Sequence, residues 1–142
     1  MTAKSLRRSM ACYLFVYGTL MSSAAETLGR VQRARLRREG RSLGPATTTG
    51  RLYDLGRYPG LIERAQPGDV VHGEVYALDD DSASLGWLDA YEGIVPGRPS
   101  DYTRTERAVR LASGETVTAW MYVATRDVSR ARHIRSGRWE AR

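Results

Sequence analysis

The stretch Cys12-Tyr13-Leu14-Phe15-Val16-Tyr17-Gly18-Thr19-Leu20 decides how the rest of the chain is read. It is rich in aromatic and β-branched residues and stops at a glycine, the pattern of a buried first strand over about 12–18. A secretory leader competes with that reading. Lys4, Arg7 and Arg8 precede an apolar run from Met10 to Met21, and Ser22-Ser23-Ala24-Ala25 follows. Such a run copies the charged, apolar and small-residue regions of a signal peptide. Tyr17-Gly18-Thr19 interrupts the apolar part, so the strand reading is adopted and a cytoplasmic protein is expected.

Working outward, the segment 24–41 holds Arg30, Arg33, Arg35, Arg37, Arg38 and Arg41 around a weak apolar stripe of Leu28, Val31 and Ala34. It reads as a loop with a short helix, punctuated by Gly44-Pro45. A strand is expected over about 46–55, then a turn-rich region from Gly56 to Pro67. The run 70–78 alternates like a strand. Asp79-Asp80-Asp81-Ser82 supplies capping acceptors for a helix whose apolar positions are Leu85 and Leu88, with Glu92 on the same face and Gly93 at its end. Strands over about 103–112 and 116–124, joined at Ser113-Gly114, close the domain. The expected organisation is a single α+β domain over 12–125: a small mixed β-barrel with one main helix and further short flanking helices. An N-terminal extension (1–11) and a basic tail (126–142), ordered in part at most, would flank it.

Composition narrows the function classes. The chain has 142 residues, 42% hydrophobic and 27% charged, enough for one domain with its own core. One cysteine, Cys12, excludes an intramolecular disulfide framework and a Cys-rich zinc site. His72 and His133 stand in no metal-ligand spacing, so no metal is expected. No apolar run is long enough to span a bilayer. The net charge is +6 at pH 7, carried by one lysine, Lys4, and otherwise arginine. That charge fits an anionic partner or a merely basic surface. The arginine stretches lack the interleaved aromatics that single-stranded nucleic acid wants, which counts against nucleic acid.

Two features carry chemistry. Position 92 shares the apolar stripe of its helix, so the Glu92 carboxylate should turn inward. Burial and the negative end of the helix dipole both raise a carboxyl pKa, which suits a general acid/base. The competing reading is a partly exposed Glu at a frayed helix end, or one paired to an arginine. The second feature is Tyr17-Gly18-Thr19-Leu20, where consecutive backbone amides after a strand can hold an anion and Gly18 lets a ligand approach; a plain strand-end turn competes. Cys12 reads as a small core residue, His72 as a strand-face residue, and Trp87, Trp120 and Trp139 as packing. Motifs for a serine triad, a P-loop, a dinucleotide fold and a zinc protease are absent.

Taken together, five stretches resemble the gamma-glutamylcyclotransferase-like family, in particular its gamma-glutamylaminecyclotransferase type. They are Tyr17-Gly18-Thr19-Leu20; Gly50-Arg51-Leu52-Tyr53-Asp54-Leu55-Gly56 with Tyr58-Pro59-Gly60-Leu61; Val71-His72-Gly73-Glu74-Val75-Tyr76; Leu88-Asp89-Ala90-Tyr91-Glu92-Gly93; and Tyr102-Thr103-Arg104. The resemblance is collinear over about 12–125. It implies a small β-barrel with flanking helices and a cofactor-free cyclisation of a gamma-glutamyl amide to 5-oxoproline and a free amine. It also implies that Glu92 relays the proton and that Tyr17 to Leu20 bind the glutamyl group. Tyr102 and Tyr122 match positions near the family's cavity; they either hydrogen-bond the substrate or serve as core tyrosines. The segment 30–41, the loop 94–101 and Arg138, which stands where the family often carries an acid, depart from the pattern and bear on the identity of the leaving amine.

The expected partner is therefore a small gamma-glutamyl substrate, with the oligomeric state left open. The alternative is a binding protein on the same fold, holding a small acid or an anionic partner without turnover.

Overall fold

The computed structural model describes residues 12–140; the expected N-terminal extension, 1–11, lies outside them. The elements are β1 (Cys12–Val16), α1 (Arg30–Glu39), β2 (Gly40–Thr49), β3 (Arg51–Asp54), β4 (Pro59–Ile62), β5 (Val70–Leu78), α2 (Asp81–Tyr91), β6 (Tyr102–Leu111), β7 (Thr116–Ala124) and β8 (Arg132–Ile134). Strands β1, β5, β2, β6 and β7 follow one another in hydrogen-bonded order, and β7 returns to β1 through the parallel pair Leu14–Trp120. Five strands thus close a barrel. β4 runs parallel to β7 at Leu61–Val123, and β3 and β8 extend the sheet beyond it. The expected α+β barrel with flanking helices is what the chain forms.

Closure explains the strand sequences. Inward residues Phe15, Val71, Val75, Val109, Ala119 and Met121 fill the barrel. Outward residues Leu14, Val16, Tyr76, Leu78 and Tyr122 meet Leu36 of α1 and Leu85 and Leu88 of α2. Strands β1, β5 and β7 are therefore buried on both faces, as strands between a core and covering helices must be. Each of Leu14, Leu36 and Leu88 is fully buried, and burial of such a side chain contributes about 1.5–3 kcal/mol.

Several expectations hold closely. β5 spans 70–78 as read. The Asp80 side chain caps α2 by accepting from the Ala83 amide at 3.3 Å. Gly114 closes the β6–β7 turn by donating to the Leu111 carbonyl at 2.9 Å.

The loop with a short helix expected in 24–41 forms, and the helix runs directly into β2. Its pattern was weak because the face it buries consists of Arg33 and Leu36. Other expectations are corrected. Gly44-Pro45 does not end an element but lies within β2. The register shifts between Ser42 and Gly44, leaving Leu43 as the extra residue of a bulge, and Gly44 follows it at φ 89°. The strand expected over 46–55 is two strands, divided at Gly50, because β3 leaves the barrel to pair with β4 and β8. β4 itself lies in the region read as turns. The tail is folded: β8 pairs with β3, and Trp139 is buried against the barrel core. Its composition is basic, yet Ile134 and Trp139 supply the apolar contact. No helix among the described residues is long and apolar enough to cross a membrane.

Candidate active site

A cavity of about 600 Å³ opens where β1 ends, bounded by the turn 17–20, the last turn of α2, residues 99–101 and the facing sides of β6 and β7. All the residues singled out in the sequence line it: Tyr17, Gly18, Thr19, Leu20, Glu92, Tyr102 and Tyr122. Strand register and helix phase bring them together from four separate stretches of chain.

Glu92 is the C-cap of α2, and its position follows from Leu85 and Leu88, which hold that helix face on the barrel. The helix end is closed rather than frayed. The Glu92 amide donates to the Leu88 carbonyl at 3.0 Å, Gly93 to Ala90 at 3.1 Å and Ile94 to Asp89 at 2.8 Å. No ion pair among the described residues involves Glu92. Loss of solvent alone therefore acts on the carboxyl, raising its pKa from 4.5 to about 7.

The turn after β1 is held from below, above and one side. Met21 donates its amide to the Gly18 carbonyl at 3.1 Å. The amides of Gly18, Thr19 and Leu20 donate to no acceptor among the described residues. Above, the buried Arg33 guanidinium donates to the carbonyls of Thr19 (2.7 Å), Leu28 (3.0 Å) and Glu26 (2.5 Å). Below, the buried Glu74 carboxylate accepts from the Ser22 amide (2.7 Å) and the hydroxyls of Ser22 (2.8 Å) and Ser42 (2.5 Å). The indole of Trp139 donates to the Glu26 carboxylate at 3.3 Å, so the C-terminal segment also braces this loop. Gly18 has a reason beyond ligand approach: a Cβ there would lie 2.8 Å from Pro59 Cγ.

The tyrosines are wall and scaffold at once. Tyr17 donates its hydroxyl to the Tyr122 carbonyl at 2.5 Å and accepts from the Leu61 amide at 3.1 Å. Tyr102 donates to the Pro59 carbonyl at 2.6 Å, and Tyr122 to Asp89 Oδ1 at 2.6 Å. Burial pushes all three phenols well above their ordinary pKa. They stay neutral, with their protons committed to the Tyr122 carbonyl, the Pro59 carbonyl and Asp89.

Sequence reasoning missed the supports. Asp89 receives Arg104 through Nε (2.8 Å) and a second nitrogen (3.3 Å), besides Tyr122. The Tyr91 hydroxyl lies 2.9 Å from Thr19 Oγ1, joining α2 to the turn. Glu74 left a signal, a charged residue between Val71 and the buried Val75 and Tyr76 of β5, whereas Arg33 lies in a mostly exposed helix and left none. Cys12 is partly exposed on β1, and burial raises its thiol pKa. Among the described residues no group of three or more His, Cys, Asp or Glu side chains is placed to hold a metal ion.

Comparison with known proteins agrees with the geometry. The Escherichia coli (strain K12) gamma-glutamylcyclotransferase family protein YtfP is 40% identical over 89 residues, 62% of this chain and 66% of the relative, so the match spans just under two thirds of that protein. A Vibrio cholerae protein, named as a candidate gamma-glutamylcyclotransferase, is 35% identical over 89% of this chain and 93% of its own. The crystal structure of an AIG2-like protein from Mus musculus superposes with a TM-score of 0.64 at 25% identity, covering 84% of this chain and 81% of that one. The sequence profile described as gamma-glutamyl cyclotransferase, AIG2-like, matches residues 14–141, and the chain belongs to that family.

Proposed function

We propose that the protein cyclises a gamma-glutamyl amide, releasing 5-oxoproline and a free amine. The observation that carries this reading is the partly buried Glu92 carboxyl, with its pKa near 7, in the same cavity as the unpaired amides of Gly18 to Leu20. A carboxyl so tuned exchanges protons readily near neutral pH.

The substrate's α-carboxylate sits against the Gly18–Leu20 amides, and the γ-carbonyl folds back toward the α-amine. The neutral amine nitrogen attacks the γ-carbonyl carbon, forming the ring C–N bond. Ionised Glu92 takes the proton that this nitrogen sheds. It then gives the proton to the departing nitrogen as the original amide C–N bond breaks, and is ionised again for the next cycle. The nucleophile belongs to the substrate, so the protein supplies a held conformer and one proton relay. The rings of Tyr102 and Tyr122 flank the folded substrate. The functional domain includes the C-terminal segment through Trp139, since that residue braces the binding loop.

The test is incubation with a panel of gamma-glutamyl amides, including peptides, the lysine side-chain amide and polyamine amides, with assay of 5-oxoproline. Release from at least one member is expected. Saturable binding of panel members without release would instead establish the binding-protein alternative.

A further inference from the structure

A second recess, this one cationic, lies away from the cavity on the outer face of β6, β2 and β5, and no helix residue lines it. Strand register builds it. Thr47 of β2 stands directly opposite Arg110 of β6 and His72 of β5. Directly opposed residues of neighbouring antiparallel strands project on the same side, about 5 Å apart. Arg110, Thr47 and His72 therefore form one row across three strands. Their neighbours Ala46, Val71 and Val109 point inward and are buried.

The folded C-terminal segment completes the row. The Gly137 carbonyl accepts from the His72 amide at 2.8 Å, which lays the segment along β5. A side chain at Gly137 would place its Cβ 2.0 Å from the Val70 carbonyl oxygen, so only glycine allows this approach. The next residue, Arg138, thereby lands beside His72, close enough for its charge to help hold the imidazole below its ordinary pKa. The recess so formed measures about 260 Å³, and no acidic side chain lines it. Neither Arg110 nor Arg138 forms an ion pair among the described residues. Many other arginines do: Arg35, Arg51, Arg104, Arg107 and Arg132 each meet a carboxylate.

We propose that Arg110 and Arg138, with the Thr47 hydroxyl and the His72 imidazole between them, bind a phosphate group. Two guanidinium forks offer paired donors that match phosphate oxygens, and their two charges match a dianion. The hydroxyl adds a neutral donor. A recess of this size takes a phosphate with a small substituent. The site is independent of cyclisation, since none of these residues lines the catalytic cavity.

The experiment is an NMR titration of the full chain with sodium phosphate at constant ionic strength, following the amides of Thr47, His72 and Gly137. Saturable shifts are expected in the wild-type protein. Arg110→Gln and Arg138→Gln should each weaken binding about tenfold or more, and Arg110→Gln should leave 5-oxoproline release unchanged. Arg130→Gln, an exposed charge removed elsewhere, should bind as the wild type does. Parallel titrations with phosphoserine and a nucleoside monophosphate separate the two sources of the group. Binding of either ester means an ester is accommodated, and binding of inorganic phosphate alone means a free-ion site. Shifts that do not saturate, equal weakening by Arg130→Gln, or equal binding of acetate would overturn the proposal.

Discussion

The Tyr122 hydroxyl donates to Asp89 Oδ1 at 2.6 Å, and this bond joins β7 to the helical turn that ends in Glu92. Arg104 grips the same carboxylate with two nitrogens and lies over the Trp120 ring at 4.5 Å. Asp89 thus sets the position of the proposed proton relay without itself lining the cavity. Asp89→Asn keeps the size but removes the charge that Arg104 faces. It should cost about 1–2 kcal/mol of stability and lower kcat with little change in KM. Thermal unfolding and steady-state kinetics check this; a kcat at the wild-type level would separate Asp89 from catalysis.

The elevated Glu92 pKa has a direct kinetic consequence. The relay must be ionised to accept the amine proton, so kcat/KM should fall as pH drops through about 7 rather than through 4.5. A pH–rate profile of the free enzyme reads this midpoint. An acidic limb near 4.5 would show a solvated carboxylate.

The same shift has a stability consequence of the opposite sense. A carboxyl with a folded pKa near 7 and an unfolded pKa near 4.5 favours the folded state fully below 4.5. That contribution is lost as pH rises to 7, by about 3 kcal/mol. Glu92→Gln cannot ionise. Its melting temperature relative to wild type should therefore be higher at pH 8 than at pH 5, and denaturation at both pH values measures the difference. An offset that does not change with pH would contradict the burial of this charge.

Arg33 and Glu74 shape the binding turn through backbone groups. Arg33→Met leaves the carbonyls of Thr19, Glu26 and Leu28 without their donor, at a cost of about 2–4 kcal/mol. Glu74→Gln weakens the hold on Ser22 while keeping the shape. Both should raise KM for gamma-glutamyl amides more than they lower kcat, and Glu74→Asp should restore only part of the affinity. Unchanged KM in the folded variants would show that the turn holds its shape unaided.

The sequence disclosed the barrel and the site unequally, for physical reasons. Strong period-two patterning marked β5 and β7, and capping acids marked α2. The inward phase of Glu92 could be read from Leu85 and Leu88 because a helix fixes it. α1 was obscure because an arginine fills half of its buried face: Arg33 is buried only because three carbonyls converge on it from a loop. β4 and β8 were obscure because both are short and borrow their stability from neighbours. No local pattern encodes such pairings, nor the bulge that carries β2 through Gly44-Pro45. The tyrosines illustrate the same limit. Their presence near the cavity followed from the family resemblance, but the commitment of their protons to Pro59, Asp89 and the Tyr122 backbone required tertiary contacts.

The most direct test is single-turnover 5-oxoproline release by Glu92→Gln, compared with wild type on the best gamma-glutamyl amide of the panel. Circular dichroism and ligand binding confirm the fold of the variant. Release should fall by at least about a thousandfold, within the range a positioned proton-transfer group contributes, while binding persists. Release at the wild-type rate by the folded variant would contradict the account.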